Sequence, residues 1–159
     1  MGERSDDRMT VERKSERELI ITRIFNGPAR IVFEAWTRPE LFKRWWAPKS
    51  MGVPLLSVEM DVRAGGTYRV VFGHNEAESA AFVGRYLEVI PNARLVWTNE
   101  ESADGAVTTV TFEEKDGKTL LTLSELYPTK EALDAAEGMD MSEQFAQLDE
   151  LLVTLGAGA

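Results

Sequence analysis

The side chains able to do chemistry are few, and their spacing decides what that chemistry can be. His74 is the only histidine in the 159 residues. An imidazole is the natural general base near neutral pH. A metal site would need partners, and neither a His-rich run nor closely spaced carboxylates surround His74. Its place at a strand end beside Asn75-Glu76 makes a rim residue the competing reading. Glu125 shares a strand face with Leu121 and Leu123. A carboxylate facing an apolar interior must be paired, or its pKa must move. Glu125 is therefore a candidate for orienting the polar end of a ligand. The alternative is a sheet-edge carboxylate that reaches water or an arginine. Asp61-x-Arg63-x-Gly65-Gly66 sets opposite charges two apart, hence on one strand face, where they pair with each other or across strands. Its glycines make a turn and not a phosphate loop, because no Lys-Ser/Thr and helix follow.

Large rings are the other resource. Trp45 and Trp46 are adjacent, and helical neighbours point about 100° apart. One is expected in the core and the other at a cavity mouth. Phe72, Tyr86, Trp97 and Phe112 lie on strands, and Met60, Met139 and Met141 add adaptable apolar surface. The expected ligand-contacting set is Trp45, Trp46, Phe72, His74, Trp97, Glu125, Met141 and Phe145. Core packing is the competing role for every ring, since a slip of one residue reverses a strand's faces. With no nucleophile triad, metal-ligand cluster or nucleotide motif, no catalytic residue, metal or cofactor is assigned. An enzyme such as a cyclase or hydrolase is the third reading, and it would need acid and base groups converging in one pocket.

These residues must be positioned by a helix and a sheet. From Met139 to Leu155, Met141, Phe145, Leu148, Leu152 and Leu155 fall on one stripe, with Leu151 beside it. Asp140, Glu143, Asp149 and Glu150 fall elsewhere. That dry stripe must cover something. Strands are expected at Glu18–Phe25, Leu56–Val62, Thr67–His74, Ala80–Ile90, Arg94–Asn99, Val107–Glu113 and Thr119–Tyr127. Asp116-Gly117 marks a hairpin. Two short helices follow the first strand, Ala29–Trp36 and one from Pro39 carrying Leu41, Phe42, Trp45 and Trp46. Pro128-Thr129 opens a helical stretch that Gly138 interrupts. Glu101 to Gly105 reads as a turn. Residues 1–17 read as a mobile charged tail and Gly156–Ala159 as a frayed end. The ordered domain is expected over residues 18–156. The fold class is α+β: an antiparallel sheet with one long helix across it. A wedge between them that side chains leave unfilled becomes a pocket.

Composition narrows the partners. The formal net charge is -9, with 43% apolar and 28% charged residues. That balance argues against nucleic acid and anionic membrane, which reward clustered Lys and Arg. There is no cysteine, which excludes disulfides, thiol catalysis and thiolate metal sites. No run approaches the roughly 18 apolar residues of a membrane span, and no secretory-type segment opens the chain. A cytoplasmic protein is expected.

Several strings carry a resemblance. They are Arg23-Ile24-Phe25-Asn26-Gly27-Pro28, Phe33-Glu34-Ala35-Trp36-Thr37, Pro39-Glu40-Leu41 with Trp45-Trp46-Ala47-Pro48, Asp61-Val62-Arg63-Ala64-Gly65-Gly66, Gly84 leading to Pro91 and Arg94-Leu95-Val96, and Thr119-Leu120-Leu121-Thr122-Leu123. Their order resembles the START-like (SRPBCC, helix-grip) superfamily, in its branch of heat-shock-protein-90 ATPase activator homologues. The resemblance implies a seven-stranded antiparallel sheet gripping a long C-terminal helix, often around a hydrophobic cavity. It implies a small hydrophobic ligand as partner. As an alternative it implies an interaction module for a chaperone or another protein, with a role in stress response. The separate N-terminal domain of the eukaryotic co-chaperones has no counterpart in the sequence. Monomer and homodimer both stay open.

Overall fold

Alternation of apolar and polar residues carries most of this chain into strands. The computed structural model describes residues 9–47, 49–75, 77–100, 105–136 and 141–155. Its strands are β1 (Met9–Arg13), β2 (Glu18–Phe25), β3 (Leu55–Met60), β4 (Thr67–Asn75), β5 (Glu78–Ile90), β6 (Arg94–Thr98), β7 (Val107–Lys115) and β8 (Lys118–Leu126). Its helices are α1 (Ala29–Thr37), α2 (Pro39–Phe42), α3 (Lys130–Ala136) and α4 (Ser142–Thr154). The strands form one antiparallel sheet in the order β1-β2-β8-β7-β6-β5-β4-β3. Asp116 and Gly117 both take positive φ, 56° and 78°, which suits the tight turn joining β7 to β8.

Three expectations need correction. The sheet has eight strands, not seven, because Met9–Arg13 pairs along β2 from Met9↔Arg23 to Arg13↔Leu19. An edge strand whose middle residues all face water shows no apolar alternation, so the segment reads as tail. The last helix begins at Ser142 and not at Met139, with Met141 as its N-cap residue. Trp45 and Trp46 stand in the turn after α2, because that helix stops at Phe42. Residues 1–8 of the expected tail, most of the turn from Glu101 to Gly105, the expected break at Gly138, and Gly156–Ala159 lie outside the described residues.

One core fills much of the space between α4 and the sheet. Rings from α1 and the Trp45 turn enter it edge-on. Trp36 lies 4.8 Å from Trp45, Phe33 5.3 Å from Phe112, and Phe25 5.3 Å from Phe145. Phe145, Leu148 and Leu152 present the dry side of α4 to it. A smaller cluster of Leu19, Ala106, Tyr127, Ala132 and Leu133 lies under α3.

A charge is buried among these rings. Leu19, Ile21, Arg23 and Phe25 all face inward from β2. Arg23, with its side chain 2% exposed, meets Asp149 of α4 at 2.6 Å and 3.4 Å. It also donates to the carbonyl of Ile24 at 2.9 Å and lies 4.7 Å over the Phe25 ring. The fork geometry of guanidinium suits the carboxylate. It ties α4 to the sheet at one side.

Candidate functional site

The inner face of the sheet is unevenly covered. On β2, β7 and β8 its residues are buried: Ile21, Phe25, Val110, Phe112, Leu121 and Leu123. On β3 to β6 the cover thins. Met60, Tyr68, Phe72 and Trp97 keep partial exposure while packing against the core. Phe82, whose register partner is the core residue Val70, is 42% exposed. Directly opposed residues of an antiparallel pair share a face, so Phe82 belongs to the inner side. It packs edge-on against Phe72 at 5.4 Å. The result is a concave, ring-lined strip that α4 does not close. An open depression of about 240 Å³, lined by Glu59, Met60, Asp61, Thr67, Tyr68 and Arg69, shares Met60 and Tyr68 with it.

Three rings continue along the strip. Tyr68 and Tyr86 lie 5.9 Å apart, and Tyr86 and Trp97 6.5 Å apart. Gly84 makes room for the first. A Cβ there would stand 1.9 Å from the carbonyl oxygen of Thr98 and 2.7 Å from the Tyr68 ring. The Tyr68 hydroxyl then reaches Thr98 O at 2.8 Å and Asn99 Oδ1 at 3.2 Å. Trp97 also lies 6.0 Å from Trp36, whose buried Nε1 has no acceptor among the described residues.

Polar groups follow in register. Trp97 is opposite Thr108, and Thr108 is opposite Glu125. Asn99 donates to the Ala106 carbonyl at 2.7 Å and to Thr108 Oγ1 at 2.9 Å. Thr108 and Tyr127 both bond to Glu125, the Tyr127 hydroxyl donating to Oε1 at 2.9 Å. Burial raises the Glu125 pKa above the usual carboxylate value, and these two hydrogen bonds oppose the rise. Burial likewise raises the phenols of Tyr86 and Tyr127, the latter with help from the Glu125 charge.

The tryptophan turn is held by α4. Gln147 donates to the carbonyls of Trp45 and Ala47, both at 3.0 Å, and accepts from Lys49 N at 2.9 Å. Gln144 donates to the Trp46 carbonyl at 2.9 Å. Glu143 accepts from Ser50 N at 2.8 Å and from the Ser50 hydroxyl, and these bonds lower its pKa. Glu143, Gln147 and Glu150 recur at four and three residues, one line on the helix surface.

The structure does not bring the expected ligand-contacting residues together in one place. Phe72 and Trp97 lie on the thinly covered part of the inner face, and Glu125 lies on the same face at β8, partly exposed. Trp46 is half-buried, stacked on Phe42 at 4.8 Å, and Met141 is half-buried at the start of α4. Trp45 and Phe145 have no exposed surface. They pack 6.5 Å apart, and Trp45 Nε1 donates to the Ala35 carbonyl at 2.9 Å. His74 is exposed beyond an irregularity at Gly73, where φ is 155° and a Cβ would meet Glu78 O at 2.5 Å. Asp61 and Arg63 pair with each other at 2.9 Å on the surface. Sequence reasoning missed Tyr68, Phe82, Asn99 and Thr108 as site residues. Alternation with Val110 and Phe112 would have found Thr108, but Asn99 is visible only once β6 and β7 are paired. Among the described residues no group of three His, Cys, Asp or Glu stands ready for a metal. No described helix is long and apolar enough to cross a membrane.

A family model described as "Activator of Hsp90 ATPase homolog 1-like protein" matches residues 26–155. A crystal structure of a Rhodobacter sphaeroides protein is similar, with TM-score 0.83 and 25% identity over 92% of this chain and 99% of that one. The solution structure of a Staphylococcus epidermidis protein has TM-score 0.73 and 27% identity, over 92% and 95%. An AHSA1-like protein from Aeromonas hydrophila has TM-score 0.67 at 18% identity, over 86% and 94%, a likeness of fold. Among curated proteins, none is a significant match.

Proposed function

The chain belongs to the activator of Hsp90 ATPase homolog 1-like family, and from that premise we propose that it binds a small, largely apolar molecule on the open inner face of its sheet. The observation that carries this reading is the exposure of rings where a sheet of this kind should be covered. Phe72, Phe82 and Trp97 face inward, yet α4 and its neighbours leave them partly uncovered. Partly exposed rings beside a hydrogen-bonded polar row are the usual lining of a ligand site. Trp46 and Met141 flank the face from the helix side, and Trp45 and Phe145 form the packed floor behind it.

Native mass spectrometry of the purified protein, with extraction of any released molecule, tests the reading. Titration with the neutral probe N-phenyl-1-naphthylamine tests the face. One-to-one binding that Trp97→Ala weakens about tenfold supports it, since a large ring supplies much of the contact area. Binding unaffected by both Trp97→Ala and Phe82→Ala refutes it.

The family description supports a second reading, an interaction module for an Hsp90-type chaperone. Ile24 and Leu120 are register partners on the outer face, 39% and 38% exposed, with Leu126 of the same strand 42% exposed. Stimulation of a purified Hsp90 ATPase that Ile24→Asp abolishes, with probe binding intact, would favour this module. No stimulation would dismiss it.

A further inference from the structure

The direction of the hydrogen bonds around Glu125 says what kind of ligand the face takes. The Asn99 amide nitrogen is identified by its contact with the Ala106 carbonyl, which can only accept. The same nitrogen donates to Thr108 Oγ1. With that lone pair occupied, the Thr108 hydroxyl proton is left for Glu125. Tyr127 also donates to Glu125. Two hydroxyl donors thus converge on this carboxyl group, and no described Lys or Arg forms an ion pair with it. A carboxylate accepts about four hydrogen bonds, so acceptor capacity remains. Glu125 keeps part of its surface exposed, as does Trp97 on the same face. Thr108 between them is sealed, 1% exposed. The two residues are about two strand spacings apart, roughly 10 Å.

We infer that this face takes an amphipathic amine, its ammonium donating to the Glu125 carboxylate and its apolar body reaching toward Trp97. The inference rests on the ligand-binding reading above. An ammonium supplies the donors and the charge that Glu125 lacks. Trp97, partly exposed on the same face, offers apolar ring surface for the body of such a ligand. A neutral ligand bearing only a carbonyl would set an acceptor against an acceptor. The net charge of -9 raises the local concentration of cations.

A matched pair of probes decides the matter. 2-Naphthylmethylamine and 2-naphthylmethanol share one ring system and differ in the charged donor. Calorimetric titration of the whole chain is expected to give about tenfold tighter binding of the amine. Glu125→Gln should remove that preference and bring the two affinities together, while its amide oxygen can still accept from Tyr127 and Thr108. A thermal melt checks that the variant is folded. Equal affinities in the parent chain overturn the inference and leave the ligand-binding reading standing. A preference that persists in Glu125→Gln also overturns it, tracing the effect to overall charge. Failure of both probes together with N-phenyl-1-naphthylamine overturns the inference and the reading beneath it.

Discussion

Asp149→Ala should destabilise this protein far more than Arg23→Met, although the two remove the same ion pair. The guanidinium of Arg23 is sealed in the core, its side chain 2% exposed, while the Asp149 side chain is 25% exposed. Removing Asp149 withdraws the bidentate carboxylate from a charge that water cannot reach. Breaking a buried pair from one side costs about 3–5 kcal/mol. Partial solvent access at Asp149, together with the retained bond to Ile24 O, places the expected loss near the lower end, about 3 kcal/mol. Removing Arg23 in favour of methionine leaves behind a carboxylate that water already reaches, and keeps the volume against Phe25. That change should cost about 1 kcal/mol or less. Urea unfolding followed by tryptophan fluorescence measures both, with the midpoint shifting at constant slope. At this chain length 3 kcal/mol corresponds to about 6–12 °C in Tm. The double variant should resemble Arg23→Met alone. If Arg23→Met proves as damaging as Asp149→Ala, the argument from trapped charge is wrong, and packing by the arginine stem holds α4 instead.

Three further outcomes follow from the same contacts. Gln147→Ala should cost about 2 kcal/mol by leaving the Trp45 and Ala47 carbonyls and Lys49 N without their partner, and hydrogen exchange at Lys49 should accelerate. Gly84→Ala should cost about 1–3 kcal/mol in urea unfolding, because the new methyl group meets Thr98 backbone, which cannot swing aside as a side chain can. Glu125→Gln should stabilise the protein increasingly as pH rises above the ordinary value of 4.5. The folded state holds the Glu125 proton more tightly than the unfolded chain does, so the unfolded chain releases it first and parent stability falls through that window. Parallel stability–pH curves for parent and variant between pH 4 and 7 would contradict this.

Local signals were enough for the elements that local physics decides. Glu18–Phe25 is bounded as its alternation predicts, and Asp116-Gly117 makes the expected turn. Phe145, Leu148 and Leu152 face the core as the helical period requires. What was hidden depends on distant pairing. Arg23 sits in phase with Leu19, Ile21 and Phe25, so its inward direction was visible, but its partner lies 126 residues away. The strand Met9–Arg13 exists because β2 offers an open edge, which no feature of its own sequence reveals. Phe82 sits among small and apolar neighbours on a long strand, and only its pairing with Val70 shows which way it faces. Glu125 was legible from Leu121 and Leu123. Its surround was legible only in part: Tyr127 stands two residues on, but Thr108 reaches it from the neighbouring strand and Asn99 holds Thr108 from a third stretch of chain.

If the binding reading proposed above holds, the contacts of α4 also decide where a ligand can enter. One side of the helix is tied to β2 through Arg23 and Asp149, and another to the Trp45–Ser50 turn through Gln147, Gln144 and Glu143. Lifting the helix would break a buried ion pair and several backbone-directed hydrogen bonds together, a cost well beyond what a small ligand returns. Among the described residues, no comparable tether joins the edge at β3 and β4 to α4. There the inner face is lined by the unbranched, adaptable side chain of Met60 and by Tyr68, whose hydroxyl is held by Thr98 and Asn99, beside the open depression. Entry across that edge leaves the helix in place and asks for movement of Met60, with Tyr68 kept on its acceptors. On the binding reading proposed above, the packed half of the sheet would serve as the rigid floor, and the half that α4 leaves open as the site.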